Sequence, residues 1–294
     1  MPSLKHIRRR ITSVRGTKRI IKSMNLVATT KLQRARRRID VCKDMFDSIR
    51  EIMVNCGLDE RLNGHEFFKG REKVRNIAYV VFSADRGLCG GYNANIAKRA
   101  IAELRKFEHG RAEVKPVIIA VGSKAAAHIR RAGYEVYKQY PAPPEAGVYG
   151  YSHEICELVF QMFLSGEVDE VHTVYTQFNS VIVHVPRERR ILPLPERVLD
   201  DIANNRKNQS GKLVFDPNIV DFLKAALPLF VESRINNAAN HASACELAAR
   251  MTSMDAADNN AQEVIGKLTL NYNRKRQGMI TQEITEIVSG ANAV

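Results

Sequence analysis

An apolar repeat along residues 3–56 constrains the fold of this chain more than any other feature of its sequence. The segment contains no proline and a single glycine, Gly16. Positions that alternate in steps of four and three from Ile7 are apolar in twelve of fourteen cases, and the two polar ones are Lys18 and Asn25. A repeat sustained over so many heptads is typical of a coiled coil rather than of a helix on a globular core. The fourteen positions are Ile7, Ile11, Val14, Lys18, Ile21, Asn25, Ala28, Leu32, Ala35, Ile39, Cys42, Phe46, Ile49 and Met53.

A coiled-coil helix needs a partner, and a second long helical pattern lies at residues 218–288. Pro217 suits the first turn of that helix and Gly290 suits its end. Between Ile235 and Ala261, nine of 27 residues are alanine, and such small side chains let two helix backbones approach closely. We therefore predict that the two terminal helices fold back against each other. A pair of bundle helices around a common core is the alternative interpretation.

The residues between the two long helices alternate between strand-like and helical patterns. This alternation implies a mostly parallel sheet covered by helices. A tight turn at Asn179-Ser180 favours an antiparallel last pair of strands. Two stretches rich in proline, glycine or polar residues are predicted as exposed loops. The predicted strands are 76–83, 115–121, 134–137, 170–178 and 181–185, the predicted helices 93–107, 122–132 and 152–164, and the predicted loops 140–150 and 200–212.

These patterns combine into one predicted fold class, α/β plus coiled coil. The two termini form a long antiparallel two-helix coiled coil, and a Rossmann-like α/β domain is inserted between them. The predicted boundaries are 1–58 for the amino-terminal helix, 72–212 for the α/β domain and 217–294 for the carboxy-terminal helix. At about 1.5 Å per residue the first helix spans roughly 80 Å, so we expect it to project beyond a small domain.

Positive charge is concentrated at the amino-terminal end of the chain. The formal net charge is +13, and residues 1–50 hold 15 Lys and Arg against three acidic residues. Nucleic acid, anionic lipid and an acidic protein surface would all attract such a segment. The first helix supplies charge without side chains that read bases, so an acidic protein surface fits better. A nucleic-acid-binding coiled coil is the alternative function.

A glycine-rich turn at residues 85–91 follows the first predicted strand, where α/β folds place phosphate-binding loops. The turn matches neither GxGxxG nor a P-loop, and no Lys-Ser/Thr pair follows it. We expect a tight structural turn that lets strand and helix pack. Nucleotide binding at this turn and a nucleophilic role for Cys89 are the alternatives.

Neither metal nor disulfide chemistry is indicated by the histidines and cysteines. The five cysteines are scattered and never form a CxxC pair, which favours a reducing compartment. His153 with Cys156, and His241 with Cys245, could each share a helical face, but two ligands do not make a metal site. No apolar run approaches the roughly 18 residues that cross a bilayer. We therefore expect no metal, no cofactor and membrane association only through partners.

Three blocks of the sequence form distinctive motifs: Ile11–Ala28 (with ITSV and TKRIIKSMNLVA), Ser83–Asn93 (SADRGLCGGYN) and Asn271–Ala291. Together these blocks resemble the gamma subunit family of F-type ATP synthases. The resemblance covers the whole chain in order and length. It implies a coiled coil standing in the bore of a hexamer of alternating alpha and beta subunits, with the α/β domain near the epsilon subunit and the ring of c subunits.

The resemblance also implies a function. The chain would be the rotor shaft that couples ion flow through the membrane sector to ATP synthesis or hydrolysis on the beta subunits. It would itself be non-catalytic and bind no cofactor. Its expected location is peripheral, on the cytoplasmic side of the plasma membrane of a bacterium.

Seven residues match positions with which the family contacts the surrounding hexamer. Three match the segment that passes acidic loops of beta, and four match positions that form hydrogen bonds or ion pairs with the hexamer. The last residues, 289–294, have no charged side chain, which suits a tip turning in an apolar collar. The first three are Lys18, Lys22 and Met24, and the other four are Arg250, Gln277, Thr281 and Glu283.

Overall fold

In sequence order, a long helix comes first, the strands of a five-stranded sheet follow, and a second long helix comes last. The computed structural model describes residues 3–62, 65–110, 114–143, 148–206 and 218–291. In chain order the helices are α1 (Leu4–Gly57), α2 (Glu66–Lys69), α3 (Tyr92–Gly110), α4 (Ser123–Arg131), α5 (Val148–Leu164), α6 (Glu196–Arg206) and α7 (Ile219–Ala291). The strands are β1 (Asn76–Phe82), β2 (Lys115–Val121), β3 (Lys138–Tyr140), β4 (Glu170–Phe178) and β5 (His184–Leu192).

The chain divides into two compact units. The two-helix unit comprises residues 1–29 and 250–294, and the sheet unit comprises residues 30–249. In the described part of the chain, no helix combines the length and apolarity of a membrane span.

The two-helix unit is an antiparallel pair formed by the start of α1 and the end of α7. The Lys18 Nζ donates a hydrogen bond of 2.9 Å to Gln262 Oε1. Further along α1, the Asn25 amide donates to the Asp255 carboxylate. From the first contact to the second, the residue number rises on α1 and falls on α7, so the two helices are antiparallel. The buried apolar residues of this unit are Ile7, Ile11, Ala28, Met254 and Ile265.

The predicted apolar repeat is confirmed along the whole of α1. Each of its fourteen positions is buried or half-buried, including the two polar ones. Within the sheet unit, the Arg234 guanidinium of α7 lies 4.4 Å from the ring centre of Phe46 on α1. The Asn240 amide donates to Cys42 Sγ at 3.6 Å. The second half of the repeat therefore also packs on α7.

The sheet has the strand order β3-β2-β1-β4-β5. The first four strands in this order are parallel to one another. Strand β5 runs antiparallel to β4, with Thr173 opposite Arg189. Side chains of β1 alternate between two apolar clusters, because successive strand residues point to opposite faces. Val80 and Phe82 pack in the cluster that contains α5, α7 and the end of α1. Tyr79 and Val81 pack in the cluster that contains α3 and α4.

This arrangement confirms the predicted α/β plus coiled-coil fold class, with a mostly parallel sheet and an antiparallel last pair. Several predicted elements are wrong in extent, and one of them is helix α5, which begins at Val148 within the predicted loop 140–150 rather than at 152. The third strand is not at 134–137 but at Lys138–Tyr140, because Gly133, with φ 92°, makes a turn before it. The fifth strand begins at His184 rather than 181 and continues to Leu192. Its start is delayed because Ser180 Oγ accepts from the Val183 amide at 3.0 Å and closes a longer turn.

The predicted loop at 200–212 is also corrected. Residues 200–206 belong to α6, which buries Val198 and Ile202 one turn apart on the same face. The remaining residues, 207–212, lie outside the described residues, as does the predicted helix start at Pro217. The described start of α7 is capped by Asn218, whose Oδ1 accepts from the amides of Val220 and Asp221, each at 3.0 Å.

Candidate functional site

All seven residues predicted to contact a surrounding hexamer lie within the two-helix unit. They occupy both of its helices and differ in how much of each side chain is exposed. Lys22, Gln277, Thr281 and Glu283 are exposed, whereas Lys18, Met24 and Arg250 are half-buried. The set therefore contains both surface residues and residues that take part in packing of the helix pair.

Lys18 and Lys22 differ in exposure and in contacts although they are one turn apart. Lys18 occupies a position of the apolar repeat, and besides its hydrogen bond to Gln262 it lies 3.7 Å from Asp258 Oδ2. These contacts hold α1 to α7. Lys22 is one turn further along and is exposed. Only Lys22 of this pair is fully available to a partner.

Three of the seven residues lie on a segment of α7 that differs from the rest of the helix. Every described side chain from 276 to 289, which we call the exposed end of α7, is exposed. Gln277, Thr281 and Glu283 lie on it, and Thr281 Oγ1 donates to the Gln277 carbonyl at 3.0 Å. The three predicted residues therefore lie on a segment of helix whose described side chains are all exposed to solvent.

Apolar side chains cover much of the exposed end of α7, and the sequence reading missed them. Ile280, Ile284 and Ile287 follow one another at helical spacing and are 46%, 56% and 71% exposed. Such a continuous apolar strip is characteristic of a surface that contacts another protein. The lengths of the two helical patterns could have indicated this strip. The carboxy-terminal pattern is longer than the amino-terminal one, so in an antiparallel pair its end extends beyond its partner helix.

The glycine-rich turn after β1 is a structural turn, as predicted. The Asp85 carboxylate accepts from the backbone amides of Ser123 at 2.7 Å and Ala142 at 2.8 Å. Asp85 thus caps the amino-terminal end of α4, and its carboxylate takes up helix amides that could otherwise bind an anion. Gly122 is required there because a Cβ would lie 2.4 Å from the Ser83 carbonyl oxygen.

Helix α7 covers the carboxyl ends of β1 and β4, where open α/β sheets place their ligands. The Tyr92 hydroxyl donates to the Ala242 carbonyl at 3.2 Å, and Cys245 Sγ donates to the Thr176 carbonyl at 3.3 Å. The Phe178 amide donates to His241 Nδ1 at 3.3 Å. Cys89 is only 1% exposed, so this thiol is shielded from a substrate.

The two predicted His–Cys pairs serve packing between helices and strands. His153 Nδ1 lies 3.3 Å from Glu232 Oε2 of α7, and Cys156 Sγ donates to the Pro228 carbonyl at 3.5 Å. Burial raises the pKa of Cys156 to about 12, so this thiol is not a thiolate at neutral pH. Within the described ranges, no group of three or more His, Cys, Asp or Glu side chains is arranged to hold a metal ion.

Comparison with known sequences gives matches over the full length of the chain. The family model described as ATP synthase matches residues 3–294. The ATP synthase gamma chain of Desulforamulus reducens is 37% identical over 294 residues, which is 100% of both chains. The ATP synthase gamma chain of Heliobacterium modesticaldum is 36% identical over 297 aligned positions, again with 100% of both chains covered.

Solved structures match the fold. A chain of the Euglena gracilis mitochondrial ATP synthase rotor superposes with a TM-score of 0.63 at 16% identity, covering 94% of this chain and 98% of that one. A chain of the Tetrahymena thermophila mitochondrial ATP synthase central stalk and c-ring gives a TM-score of 0.60 at 19% identity, covering 81% and 99%. At such identities the likeness bears on the fold alone.

Proposed function

The chain belongs to the ATP synthase gamma chain family, and on that premise we propose that it is the central rotor shaft of an F-type ATP synthase. Ion flow through the membrane sector turns a ring of c subunits, and the shaft turns with the ring. The turning surface drives the beta subunits through their binding states, where ATP is made or hydrolysed. The observation that supports this most is the 37% identity to a gamma chain over 100% of both chains.

The partners are the alpha and beta subunits, the epsilon subunit and the c-ring. The two-helix unit enters the alpha–beta hexamer, and the sheet unit binds epsilon and the c-ring. The complex lies at the plasma membrane, with this chain peripheral and on the cytoplasmic side. We retain the three domain boundaries, 1–58, 72–212 and 217–294, as part of this proposal. The sequence matches support this function and not the nucleic-acid-binding alternative.

Coupling requires a surface whose contact energy with beta depends on the angle of the shaft, because a bound partner shifts an equilibrium only through differential affinity. The exposed basic side chains of α1 supply such a surface against acidic loops of beta. They lie along one helix, so rotation brings them to each beta subunit in turn. Those within the two-helix unit include Arg8, Arg9, Arg10, Arg15, Arg19 and Lys22.

The exposed end of α7 is the tip that turns inside the hexamer. Its apolar strip is well suited to an apolar collar, because contact between two apolar surfaces lacks directional bonds that would hold one angle. Gln277, Thr281 and Glu283 make the polar contacts with the hexamer, and Arg250 and Met24 lie further along the two-helix unit.

The chain is not itself a catalyst. This is supported by the Asp85 carboxylate at the amino-terminal end of α4 and by the cover that α7 gives to the carboxyl ends of β1 and β4. The cover lies where a nucleotide would bind in a related fold, and Asp85 takes up helix amides that could otherwise bind an anion. Nucleotide chemistry belongs to the beta subunits.

The test is reconstitution with partner subunits. The full chain is co-expressed with the alpha and beta subunits of a bacterial ATP synthase from which the gamma chain has been removed. We expect a complex that hydrolyses ATP and rotates a probe attached to the sheet unit, and we expect no hydrolysis by the isolated chain. A failure to assemble with alpha and beta would contradict the proposal, as would salt-sensitive DNA binding in place of assembly.

A further inference from the structure

The outer surface of α1 between residues 40 and 52 has two parallel stripes of opposite character. The acidic stripe comprises Asp40, Asp44, Asp47 and Glu51, all of them exposed. The apolar stripe comprises Val41, Met45 and Ile52, which are 75%, 37% and 38% exposed, with the exposed Ser48 between the last two. Both stripes follow spacings of four and three residues, so each lies along one side of the helix.

The position of the stripes follows from the residues that pack on α7. Cys42 and Phe46, which contact Asn240 and Arg234, define the inner side of α1. At about 100° per residue, Val41 and Met45 lie next to this inner side, and the acidic stripe lies beyond them. The apolar stripe is therefore bordered on one edge by the helix pair and on the other by four carboxylates.

We propose that this face binds a basic amphipathic helix of a partner protein. Such a helix places apolar residues at i, i+4, i+7 and i+11 on the apolar stripe, and Lys or Arg residues on one flank opposite the acidic stripe. The stripes extend over about three turns, or roughly 17 Å, which matches a short docked helix. This inference does not depend on the proposed rotor function, because it rests on the surface of α1 alone.

Charge decides between this partner and the other surfaces that bind exposed apolar residues. A second copy of the chain would bring two acidic stripes together, and an anionic membrane would repel them. A basic helix gains from both stripes. Its binding should weaken as salt screens the charges while the apolar contact persists.

The test uses the full chain and two synthetic peptides of about 18 residues, a length at which a designed helix can form. One peptide has Leu at the four docking positions and Lys on one flank, and the second has Glu in place of each Lys. Fluorescence anisotropy measures the binding of each labelled peptide. A photoreactive benzoylphenylalanine in place of Ser48 reports where the peptide binds, because Ser48 lies on the proposed face.

Two stripe variants and one control separate this face from general stickiness. One variant removes the apolar stripe, one neutralises the acidic stripe, and the control removes exposed apolar side chains elsewhere on α1. The urea midpoint of each variant is measured first, and we expect only a small decrease for the apolar-stripe variant, because Met45 and Ile52 are 37% and 38% exposed and serine is a weaker helix former. The variants are Val41→Ser/Met45→Ser/Ile52→Ser, Asp40→Asn/Asp44→Asn/Asp47→Asn/Glu51→Gln and Ile20→Ser/Val27→Ser.

We expect the Lys peptide to bind and to cross-link at position 48, and the Glu peptide not to bind. Each stripe variant should weaken binding by at least about tenfold, and the control should leave it unchanged. Equal binding of both peptides, equal loss in the control, or cross-linking absent from position 48 would overturn the proposal. So would a concentration-dependent dimer that the apolar-stripe variant abolishes, since the occupant would then be a second copy.

Discussion

At the scale of single residues, His172 of the sheet unit lies between two carboxylates. Its Nε2 lies 2.9 Å from Glu170 Oε2, and its Nδ1 contacts the Glu188 carboxylate. Ionised carboxylates only accept hydrogen bonds, so both ring nitrogens must donate and the ring must be an imidazolium. Burial alone would lower the pKa of His172, but its hydrogen bonds to Glu170 and Glu188 outweigh burial and raise it.

Other groups around this cluster pack on His172 or favour the ionised form of Glu188. Tyr79 of β1 lies against the ring at 5.3 Å between centroids. The hydrogen bond from His172 lowers the pKa of Glu188, and the charges of Arg99 and Lys106 on α3 lower it further. Glu103 of α3 is paired with those same two cations, at 2.6 and 2.7 Å. An imidazolium between two ionised carboxylates therefore joins β4 to the edge strand β5.

The raised pKa of His172 predicts how stability depends on pH. Because the folded pKa lies above the unfolded value, the stabilisation is complete below the unfolded pKa and is lost as pH rises through the folded pKa. We expect the free energy of unfolding of the wild type to be about 2 kcal/mol higher than that of His172→Gln at about pH 6. The difference should be clearly smaller at about pH 9. Urea unfolding of both proteins across this range measures the difference. A gap that does not change with pH would argue against the imidazolium.

Lys18 and Lys22 should respond differently to charge reversal. Lys18→Glu places a carboxylate beside Asp258 and should lower the free energy of unfolding by about 1 kcal/mol. Lys22→Glu, on an exposed side chain, should leave stability unchanged and reduce coupled ATP synthesis. Urea unfolding of the isolated chain and ATP synthesis by the reconstituted complex give the two readouts. Unchanged synthesis in the Lys22 variant would remove this residue from the proposed contact with beta.

At the scale of elements, α7 has two kinds of surface along its length. Buried residues recur along it as far as Ile265, which is 8% exposed and packs in the two-helix unit. Beyond residue 275 the helix buries nothing among the described side chains. Because burial of apolar area is the main source of stability, the exposed end should contribute little to the isolated chain. Its apolar strip gains stability only when a partner covers it.

Removal of the exposed end of α7 tests this difference. A chain that ends at Lys275 should lose less than about 0.5 kcal/mol of unfolding free energy, whereas Ile265→Ala in the full chain should lose about 3 kcal/mol. In the reconstituted complex at saturating subunit concentrations, the truncation should have the larger effect on function. It should reduce coupled ATP synthesis several-fold, and Ile265→Ala should reduce it less. Thermal unfolding and synthesis assays measure the two effects. Full coupling by the truncated chain would refute a role for this end in the hexamer.

At the scale of the whole molecule, a shaft that transmits torque must turn as one body. The side chains of Asn25 and Asp255 contact each other between the two helices of the two-helix unit. A disulfide at this point joins two elements that the rotor proposal requires to move together. A covalent bond inside the shaft therefore restricts no motion that the reaction uses.

We expect Asn25→Cys/Asp255→Cys to form a cross-link on oxidation without loss of coupled ATP hydrolysis. Non-reducing electrophoresis of a chain cleaved between the two helices measures the cross-link, and ATP-driven ion pumping measures coupling. The matched control is the same variant with a reducing agent. Activity that disappears on oxidation and returns on reduction would mean that the two helices move relative to each other during turnover.

The sequence alone determined the features that depend on local periodicity. The apolar repeat of α1, the existence of α7, and the strands β1, β2 and β4 could be predicted because each pattern repeats within its own segment. The three resembling blocks also identified the family. The extent of β5 could not be predicted, since Arg187 and Arg189 look like loop residues until β4 supplies their backbone partners.

Only the tertiary structure decided how polar side chains are used. The sequence placed Lys18 on the inner side of α1, but it did not indicate the hydrogen bond of Lys18 to Gln262, which is 244 residues away. It showed Asp85 in a glycine-rich turn, but not that the carboxylate caps α4, and it did not mark His172 at all. Apolar packing produces a periodic pattern in the sequence. A hydrogen bond or ion pair joins two single positions at any separation, so only the folded structure reveals which residues it joins.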